Sequence, residues 1–426
     1  MGRSRISFLR YTGRGKRILS RRARSIPSSG HVTAEPIERA YLVAVEIKGR
    51  DNSRWPSESS LEELAQLALT AGADVVGRCV QRLARPTSAY YVGRGKVQEL
   101  ASLRHRLGYS TVIFDNELSP SQQRNLEDAL QIKVLDRTAL ILDIFAQHAH
   151  TREGALQVEL AQHEYLLPRL AGQWTHLERL EGAIGTRGPG ETQLETDRRL
   201  IRGKIQRLKR QLEEVRRQRA LYRRRRARQG ASVVSLVGYT NAGKSTLMRA
   251  LSGADVLVQD KLFATLDPVT RRVTLPQGGV FLLTDTVGFI QKLPTQLVAA
   301  FRATLEELSE ASLLLHVVDI THPDAAEQAQ TVEDTLTELG LADKPCITVL
   351  NKADAIRGPD GLPIEGLESL GEAQASLRYW RPDALLVSAA KGWGLADLLG
   401  RIEAALGLGE EGEAASWGYR ARPAEM

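Results

Sequence analysis

The sequence predicts an α/β protein with parallel-rich sheets, in which a long antiparallel helical hairpin separates a small α/β domain from a larger one. Three observations support this fold class. Short apolar runs alternate with segments of helical spacing on both sides of the chain's centre. Between them, apolar residues recur every three or four positions over a long stretch. A glycine-rich loop beginning at Gly238 lies between a strand-like run and a helix-like run.

The first α/β domain is predicted at residues 39–150, after a basic tail at 1–38 that we expect to be disordered. Apolar runs predict strands at 40–47, 74–80, 111–114 and 132–135. Helical spacing predicts helices at 61–69 and at about 95–107, 120–130 and 137–149. Because strands and helices alternate, the sheet should be mostly parallel.

The helical hairpin is predicted at residues 151–229. Its second helix has apolar residues spaced by 4, 3, 4 and 3 positions, at Ile201, Ile205, Leu208, Leu212 and Val215. Its first helix shows the same rhythm around Leu167 and contains Pro168, which should kink it. The segment 181–191 contains four glycines and one proline, so it should break the helix and form the tip.

The loop that follows the hairpin fits the phosphate-binding pattern G-x-x-x-x-G-K-[ST]. Glycines let backbone N–H groups and a helix N-terminus face the phosphates. Lys244 can reach the β- and γ-phosphates, and Ser245 can bind Mg²⁺. The predicted contacts are Gly238, Tyr239, Thr240, Asn241, Ala242, Gly243, Lys244, Ser245 and Thr246.

Three further motifs, each after a strand-like run, complete the metal and base sites. The first is Asp285, Thr286, Val287 and Gly288, in which Asp285 can hold the metal's water shell and the Gly288 N–H can reach the γ-phosphate. The second predicts guanine, because the Asp354 carboxylate can accept the two adjacent N–H donors that guanine has and adenine lacks. Its residues are Asn351, Lys352 and Asp354. The third is Ser388, Ala389 and Ala390, in which the Ala389 N–H suits the guanine carbonyl oxygen. Residues 230–408 therefore predict a P-loop GTPase domain that binds GTP and GDP, followed by a flexible tail at 409–426.

Charge is strongly segregated along the chain, whose net charge is +7. Two segments, 1–24 and 193–228, are dense in arginine and lysine, which indicates a polyanionic partner such as nucleic acid. Apolar runs are too short to span a bilayer, and no secretory signal is visible, so we expect a cytoplasmic protein. A transit peptide in residues 1–30 is the alternative to a plain basic tail. Cys79 and Cys346 are expected to be buried, reduced thiols.

Several segments outside the general GTPase motifs resemble the HflX family of ribosome-associated GTPases. They are 114–120, 136–138, 182–192, 197–199 and 263–267. The resemblance covers nearly all of 39–408 and implies binding to the large ribosomal subunit and its rRNA, in ribosome splitting, rescue or biogenesis. It also implies a switch threonine, Thr265, that completes Mg²⁺ coordination and catalysis with Lys244 and Gly288. The nucleotide contacts around it are Phe263, Ala264, Thr265, Leu266 and Asp267; from the sequence alone, Thr270 and Thr274 are also candidates.

Two residues predict how hydrolysis is controlled. Phe289 stands directly after the D-x-x-G glycine, where many small GTPases carry a water-orienting glutamine, so we expect slow intrinsic hydrolysis. The alternative role for Phe289 is packing under the switch, which is compatible with slow hydrolysis. Asn241 resembles GTPases that bind K⁺ beside the phosphates, although an asparagine can also simply stabilise the loop.

Other contacts and functions remain open. Arg187 at the tip and the run Arg223, Arg224, Arg225 and Arg226 are candidate rRNA contacts, with solvated charge as the alternative. The family resemblance also implies a second, ATP site at a weak glycine motif with Gly93, Gly95 and Lys96, whereas the sequence alone favours a strand–turn–helix junction there. We expect a monomer. The alternatives to a ribosome-stimulated GTPase are a nucleotide-switched assembly factor, an ATP-dependent RNA remodeller and an arm that binds protein.

Overall fold

A computed structural model describes residues 37–48, 56–173, 189–228, 232–253, 262–263, 265–292, 308–357, 364, 366–367 and 380–408. They belong to two compact units. The first contains Met1–Arg217, Lys261–Leu266 and Lys292–Phe301, and the second contains Gln218–Asp260, Asp267–Gln291 and Arg302–Met426. The tip residues 181–188, the last 18 residues and most of the basic tail lie outside the described residues. The division into five segments made from the sequence stays a prediction.

The first unit contains a four-stranded parallel sheet, which confirms the predicted fold class. Its strands are β1 (Arg39–Ile47), β2 (Asp74–Leu83), β3 (Thr111–Phe114) and β4 (Lys133–Asp136), in the order β2-β1-β3-β4. Its helices are α1 (Ser57–Thr70), α2 (Arg94–Leu107), α3 (Pro120–Leu130) and α4 (Arg137–His148). Helix α1 begins earlier than predicted; its first turn, Ser57–Ser60, was missed because all four of its residues are polar and lack the apolar spacing.

A buried ion network lies beside the carboxyl end of β3. The Arg137 guanidinium donates to the Ser60 carbonyl oxygen (2.9 Å) and to Asp115 (3.0 Å from Nε), and it pairs with Glu63. Lys292 also pairs with Asp115. Burial alone would raise the pKa of Asp115, but the Arg137 and Lys292 charges outweigh it and hold this pKa below its usual value. The network therefore stays ionised and fixes the junction of β4 and α4.

Two long helices follow and form the arm: α5 (Arg152–Gln173) and α6 (Pro189–Arg228). A seam joins them, made by Leu160 of α5 with Ile205, Leu208 and Leu212 of α6. Ion pairs Glu159–Lys204 (2.6 Å) and Glu164–Lys209 (2.9 Å) flank it. From the first pair to the second, the residue numbers rise along both helices, whereas they would rise along one and fall along the other in an antiparallel pair. The antiparallel direction of the hairpin therefore stays a prediction.

The start of α6 differs from the sequence-based expectation. The helix begins at Pro189, inside the segment 181–191 that was predicted as a non-helical tip. Proline suits the first turn of a helix because that turn does not use its backbone N–H groups. Helix α5 continues through Pro168.

Helix α5 is fastened to the α/β part of the first unit by buried polar contacts. The Tyr165 hydroxyl donates to Asp136 Oδ1 (2.9 Å). Arg169 donates to Asp136 Oδ2 (3.2 Å) and to the Leu118 carbonyl oxygen (2.9 Å), and its guanidinium lies 3.4 Å from the Tyr165 ring centroid. These contacts give the base of the arm a defined position on the sheet.

Glu127 of α3 makes the stability of this unit depend on pH. Burial raises its pKa to about 7, although contacts to Val134 and Gln123 partly oppose the shift. Because the folded state favours the protonated carboxyl, the contribution of Glu127 to stability is fully present below pH 4.5, the ordinary pKa of the group. That contribution is lost as pH rises through 7. Glu127→Gln should therefore raise the free energy of unfolding at pH 8 by about 2 kcal/mol and change it little at pH 4.5. Denaturant titrations at the two pH values measure this; an equal change at both would contradict it.

The second unit contains a six-stranded sheet. Its strands are β5 (Val233–Gly238), β6 (Val269–Thr274), β7 (Val280–Asp285), β8 (Leu313–Asp319), β9 (Cys346–Asn351) and β10 (Leu385–Leu386), in the order β10-β9-β8-β5-β7-β6. All neighbours are parallel except β6 and β7. Its helices are α7 (Lys244–Ser252), α8 (Ala325–Glu338) and α9 (Leu395–Leu406). Strand β6 was not predicted, since charged Arg271 and Arg272 interrupt its apolar pattern.

The structure corrects the expectation for the cysteines. Both are free thiols, but Cys79 is only half-buried and Cys346 is exposed. Cys346 is the first residue of β9, where the strand has not yet entered the core. No helix among the described residues is long and apolar enough to cross a membrane. Within the same residues, no three His, Cys, Asp or Glu side chains form a metal cluster.

Candidate nucleotide-binding site

The phosphate loop connects the central strand β5 to α7. Gly243 has a φ of 94°, and a Cβ there would lie 2.2 Å from Asn351 Nδ2. Only glycine fits this position, because both the backbone conformation and the space exclude a side chain. Helix α7 begins at Lys244, so its N-terminus follows the loop directly and can bind an anion.

Lys244 places a buried positive charge at the loop. Its side-chain amine donates to the carbonyl oxygens of Gly238 (3.0 Å) and Tyr239 (2.8 Å). Burial lowers its pKa to about 8, and the charge of Asp285 offsets this only in part. Among the described residues no carboxylate forms an ion pair with it. A buried cation without a carboxylate pair fits an anionic phosphate ligand.

Ser245 and Asp285 lie together beside Lys244. The Ser245 hydroxyl donates to Asp285 Oδ2 (2.6 Å), and Asp285 is 1% exposed. The Thr286 hydroxyl donates to the Leu236 carbonyl oxygen (2.6 Å), which ties the D-x-x-G segment to β5. Hydroxyl and carboxylate oxygens are suitable for Mg²⁺, so this pair fits the metal that the family resemblance implies. The buried Thr240 hydroxyl has no hydrogen-bond partner among the described residues, and the site therefore has an unused polar group.

The base-binding motifs meet at Asn351. Its Nδ2 donates to the Ala242 carbonyl oxygen (2.9 Å), and its Oδ1 accepts from the Ala389 N–H (3.0 Å). Asn351 thus joins the phosphate loop to the Ser388–Ala390 segment. The Ser388 hydroxyl donates to Asp354 Oδ1 (2.5 Å), which orients the carboxylate predicted to read guanine. The structure therefore brings the predicted base residues together.

Lys352 has a defined position in the same motif. It adopts a left-handed backbone conformation with a φ of 66°, and its amine pairs with Asp319 Oδ2 (2.6 Å). Thr246 lies in the first turn of α7, Val287 is half-buried and Ala390 is exposed. The roles of all these residues in nucleotide binding stay predictions.

The predicted switch residues divide between the two units. In the first unit, Phe263 packs edge-on against Phe145 of α4, with ring centroids 4.6 Å apart, while Leu266 is buried and Thr265 half-buried. Asp267 is half-buried in the second unit, and Ala264 lies outside the described residues. The role of Thr265 stays a prediction.

The two alternatives to Thr265 both lie on β6. Thr270 faces Thr284 of β7 across the antiparallel pair, and their hydroxyl oxygens are 3.0 Å apart. Thr274 is the last residue of the strand and pairs with Val280. Strand pairing accounts for both positions, which favours Thr265 as the switch threonine.

The arm carries arginines that were not predicted from the sequence as individual rRNA contacts. Arg187 and the side chains of Arg223, Arg224, Arg225 and Arg226 lie outside what the structure describes. Within the described part of α6, five exposed arginines lie opposite the seam. Arg217 pairs with Glu213 (3.6 Å), and the other four are Arg199, Arg202, Arg207 and Arg210. At 3.6 residues per turn they share one face of the helix, away from Ile205, Leu208 and Leu212. Helical phase applied to the charged residues would have found them.

The weak glycine motif in the first unit is occupied by internal contacts. The Gly93 N–H donates to Gln81 Oε1 (3.0 Å), and Lys96 pairs with Glu99 (2.7 Å). Gly93 precedes α2, whose first residue is Arg94. The two groups that would contact a phosphate here already have partners, which favours a strand–helix junction.

Comparisons with known proteins agree with this geometry. Residues 58–146 match the family "GTP-binding GTPase N-terminal", 148–226 match "GTP-binding GTPase Middle Region" and 233–352 match "50S ribosome-binding GTPase". The "GTPase HflX" of Caldanaerobacter subterraneus is 52% identical over 75% of this chain and 73% of its own length. That of Escherichia coli K12 is 49% identical over 70% of both chains. A GTP-binding protein of Sulfolobus solfataricus, solved with GDP, aligns loosely, with a TM-score of 0.44, 24% identity and coverage of 87% of this chain and 99% of its own.

The fold and the site define a P-loop GTPase. The phosphate loop, the serine–aspartate pair and the base-side motif occupy one edge of a single sheet, as this class requires. Sequence identity of 49–52% to these relatives over 70–75% of the chain is decisive for the family. The chain belongs to the GTPase HflX family, and it binds and hydrolyses GTP.

Proposed function

We propose that the protein hydrolyses GTP on the large ribosomal subunit and acts there in ribosome splitting, rescue or biogenesis. The match of residues 233–352 to a "50S ribosome-binding GTPase" family carries this proposal. The proposal includes a cytoplasmic monomer whose hydrolysis depends on the subunit. Phe289 supports that dependence, because a buried phenyl ring cannot orient water by hydrogen bonding.

Catalysis in this proposal consists of positioning and charge stabilisation. Lys244 stabilises the charge that develops on the γ-phosphate, and the Gly288 N–H donates to the same group. Ser245 would hold Mg²⁺ and Asp285 its water shell, Thr265 would complete the coordination, and the ion would supply positive charge beside the phosphates. Asn241 would hold a K⁺ ion beside the phosphates. Equal GTP turnover in K⁺ and Na⁺ would remove K⁺ from the proposal.

The arm provides the contact with rRNA in this proposal. The face formed by Arg199, Arg202, Arg207 and Arg210 is exposed and lies away from the seam, so it is free to approach phosphates. The arginine run at 223–226 and Arg187 extend the same contact. A basic helix of this kind binds without reading sequence, and its affinity falls with salt.

Replacing the four face arginines by glutamine should weaken binding to purified large subunits and reduce its salt dependence. Each lost phosphate contact lowers the slope of log K against log salt by about 0.7–0.9, so four contacts lower it by about 3. Co-sedimentation at several salt concentrations, with a non-hydrolysable GTP analogue, measures the slope. Replacement of the same four by lysine keeps the charge and should keep the slope. A glutamine variant with the wild-type slope would rule out this face as the contact.

Ribosome splitting and ribosome assembly predict different effects on whole ribosomes. Splitting predicts that the protein with GTP dissociates whole ribosomes into subunits, which sucrose gradients detect. An assembly factor binds the large subunit and turns over GTP without dissociating whole ribosomes. An ATP-driven remodeller would act through the first unit and would keep its ATP-dependent activity in Lys244→Ala. The internal pairing of Gly93 and Lys96 weighs against that third possibility.

A further inference from the structure

The segment after the D-x-x-G motif is paired with the phosphate loop. The Phe289 N–H donates to the Gly238 carbonyl oxygen (3.1 Å), and the Thr240 N–H donates to the Phe289 carbonyl oxygen (2.8 Å). Tyr239 and Phe289 thus face each other as in a parallel pair of strands. The Phe289 side chain is 4% exposed. In this conformation the Phe289 backbone, and not its side chain, makes hydrogen bonds to the phosphate loop.

A side chain of the loop adds a third bond to this pairing. The Tyr239 hydroxyl accepts a hydrogen bond from the Gln291 N–H (2.9 Å). Tyr239 is 4% exposed, so its ring is fixed by its surroundings. The phosphate-loop pattern leaves this position unspecified, and phosphate binding does not require a hydroxyl there. The hydrogen bond between Tyr239 and Gln291 is therefore not needed for phosphate binding itself.

The pairing holds Gly288 close to Thr240 and Lys244 of the phosphate loop. A Cβ on Gly288 would be 2.8 Å from Thr240 Cα and 3.0 Å from the Lys244 amine. The space on this side of Gly288 is therefore too small for a methyl group, and a phosphoryl group is larger. In the proposed function the γ-phosphate contacts both Lys244 and the Gly288 N–H, so Gly288 must move away from the loop. Its neighbour Phe289 then loses its bonds to Gly238 and Thr240.

We propose that the Tyr239 hydroxyl sets the balance between GDP and GTP by holding the D-x-x-G segment on the phosphate loop. GDP has no γ-phosphate and is compatible with the paired conformation, whereas GTP requires the pairing to open. A contact that stabilises the paired conformation weakens the binding of a ligand that requires the open one. It leaves the binding of a ligand that is compatible with the paired conformation nearly unchanged. Tyr239 is therefore a residue that determines specificity for the phosphate chain. This inference depends on GTP binding and not on the ribosome.

The test is the variant Tyr239→Phe, which removes one hydroxyl and keeps the ring. The hydrogen bond stabilises the paired conformation, which GTP must open. Its loss should therefore tighten the binding of a non-hydrolysable GTP analogue and lower its Kd about 3- to 10-fold. The Kd of GDP should change less than about twofold. Titrations with fluorescent forms of both nucleotides give the ratio of the two constants. An unchanged ratio, or an equal change in both constants, would overturn the proposal.

A matched control separates this effect from a general loss of stability. Tyr109→Phe in the first unit also removes a buried hydroxyl, which donates to the Leu100 carbonyl oxygen (2.5 Å). It should lower the thermal stability and leave the ratio of the two nucleotide constants unchanged. Thermal unfolding of Tyr239→Phe adds a second measurement. The variant should be less stable than wild type with GDP bound and equally stable with the GTP analogue bound; equal destabilisation in both states would count against the proposal.

Discussion

Replacing Asp354 by asparagine is expected to reverse the base preference of the enzyme from guanine to xanthine. The Ser388 hydroxyl donates to Asp354 Oδ1 at 2.5 Å, and an asparagine can keep that bond through its own Oδ1. Its amide nitrogen then faces the base, where it repels the two donors of guanine and matches the 2-oxo group of xanthine. Two hydrogen bonds to a charged acceptor contribute about 1.5–3 kcal/mol each, so GTP should bind about 10²- to 10⁴-fold more weakly.

Competition between GTP and XTP for the variant measures this reversal. Asp319→Asn is the matched control, because Asp319 pairs with Lys352 (2.6 Å) in the same region. Loss of this ion pair should weaken the binding of GTP and XTP equally and leave the base preference unchanged. An Asp354→Asn protein that still prefers GTP would show that another residue reads the base.

Lys244→Ala is expected to reduce kcat for GTP about 10²- to 10³-fold, the usual cost of losing one group that stabilises transition-state charge. The Lys244 amine is the buried charge at the loop and bonds to the carbonyl oxygens of Gly238 and Tyr239. Turnover in the presence of large subunits is the appropriate measurement, because the basal rate is expected to be low.

Lys344→Ala controls for the loss of a lysine that bonds to the backbone. Its amine donates to the Ala311 carbonyl oxygen (2.6 Å), outside the nucleotide motifs. The control should keep wild-type turnover. A Lys244→Ala protein with nearly normal kcat would contradict the assignment of Lys244 to catalysis.

The sequence predicted elements whose pattern is local. Helices α2, α3 and α4 end within a residue of their predicted limits, because apolar spacing and caps mark them. The capping box at Ser119, for example, places the start of α3. Strand β6 escaped prediction because its partner β7 decides its pairing, and two arginines conceal its apolar pattern.

Contacts between distant residues could not be predicted in the same way. Arg137 meets Ser60 across 77 positions, and Lys292 meets Asp115 across 177. The sequence showed the segments 114–120 and 136–138 only as a family resemblance, without a reason for it. In the structure their charged residues form the buried network and anchor the arm, which explains why these residue types are needed there.

The bond from Tyr239 to Gln291 shows the same limit at the site itself. The motif pattern identified the phosphate loop and the D-x-x-G segment separately, each from its own spacing. That the two segments pair through Phe289 follows only from the parallel alignment of β5 and β7. That Phe289 does not orient water stays a prediction, and the pairing of its backbone was not anticipated.

The most direct test is steady-state GTP turnover by the isolated protein, measured without and with purified large ribosomal subunits. The protein alone should turn over well below about 1 s⁻¹, the lower end of ordinary enzyme rates. Large subunits should raise the rate at least about tenfold, equivalent to about 1.4 kcal/mol of transition-state stabilisation. The same rate with and without subunits, or a rate near 1 s⁻¹ for the protein alone, would contradict a GTPase whose hydrolysis depends on the large subunit.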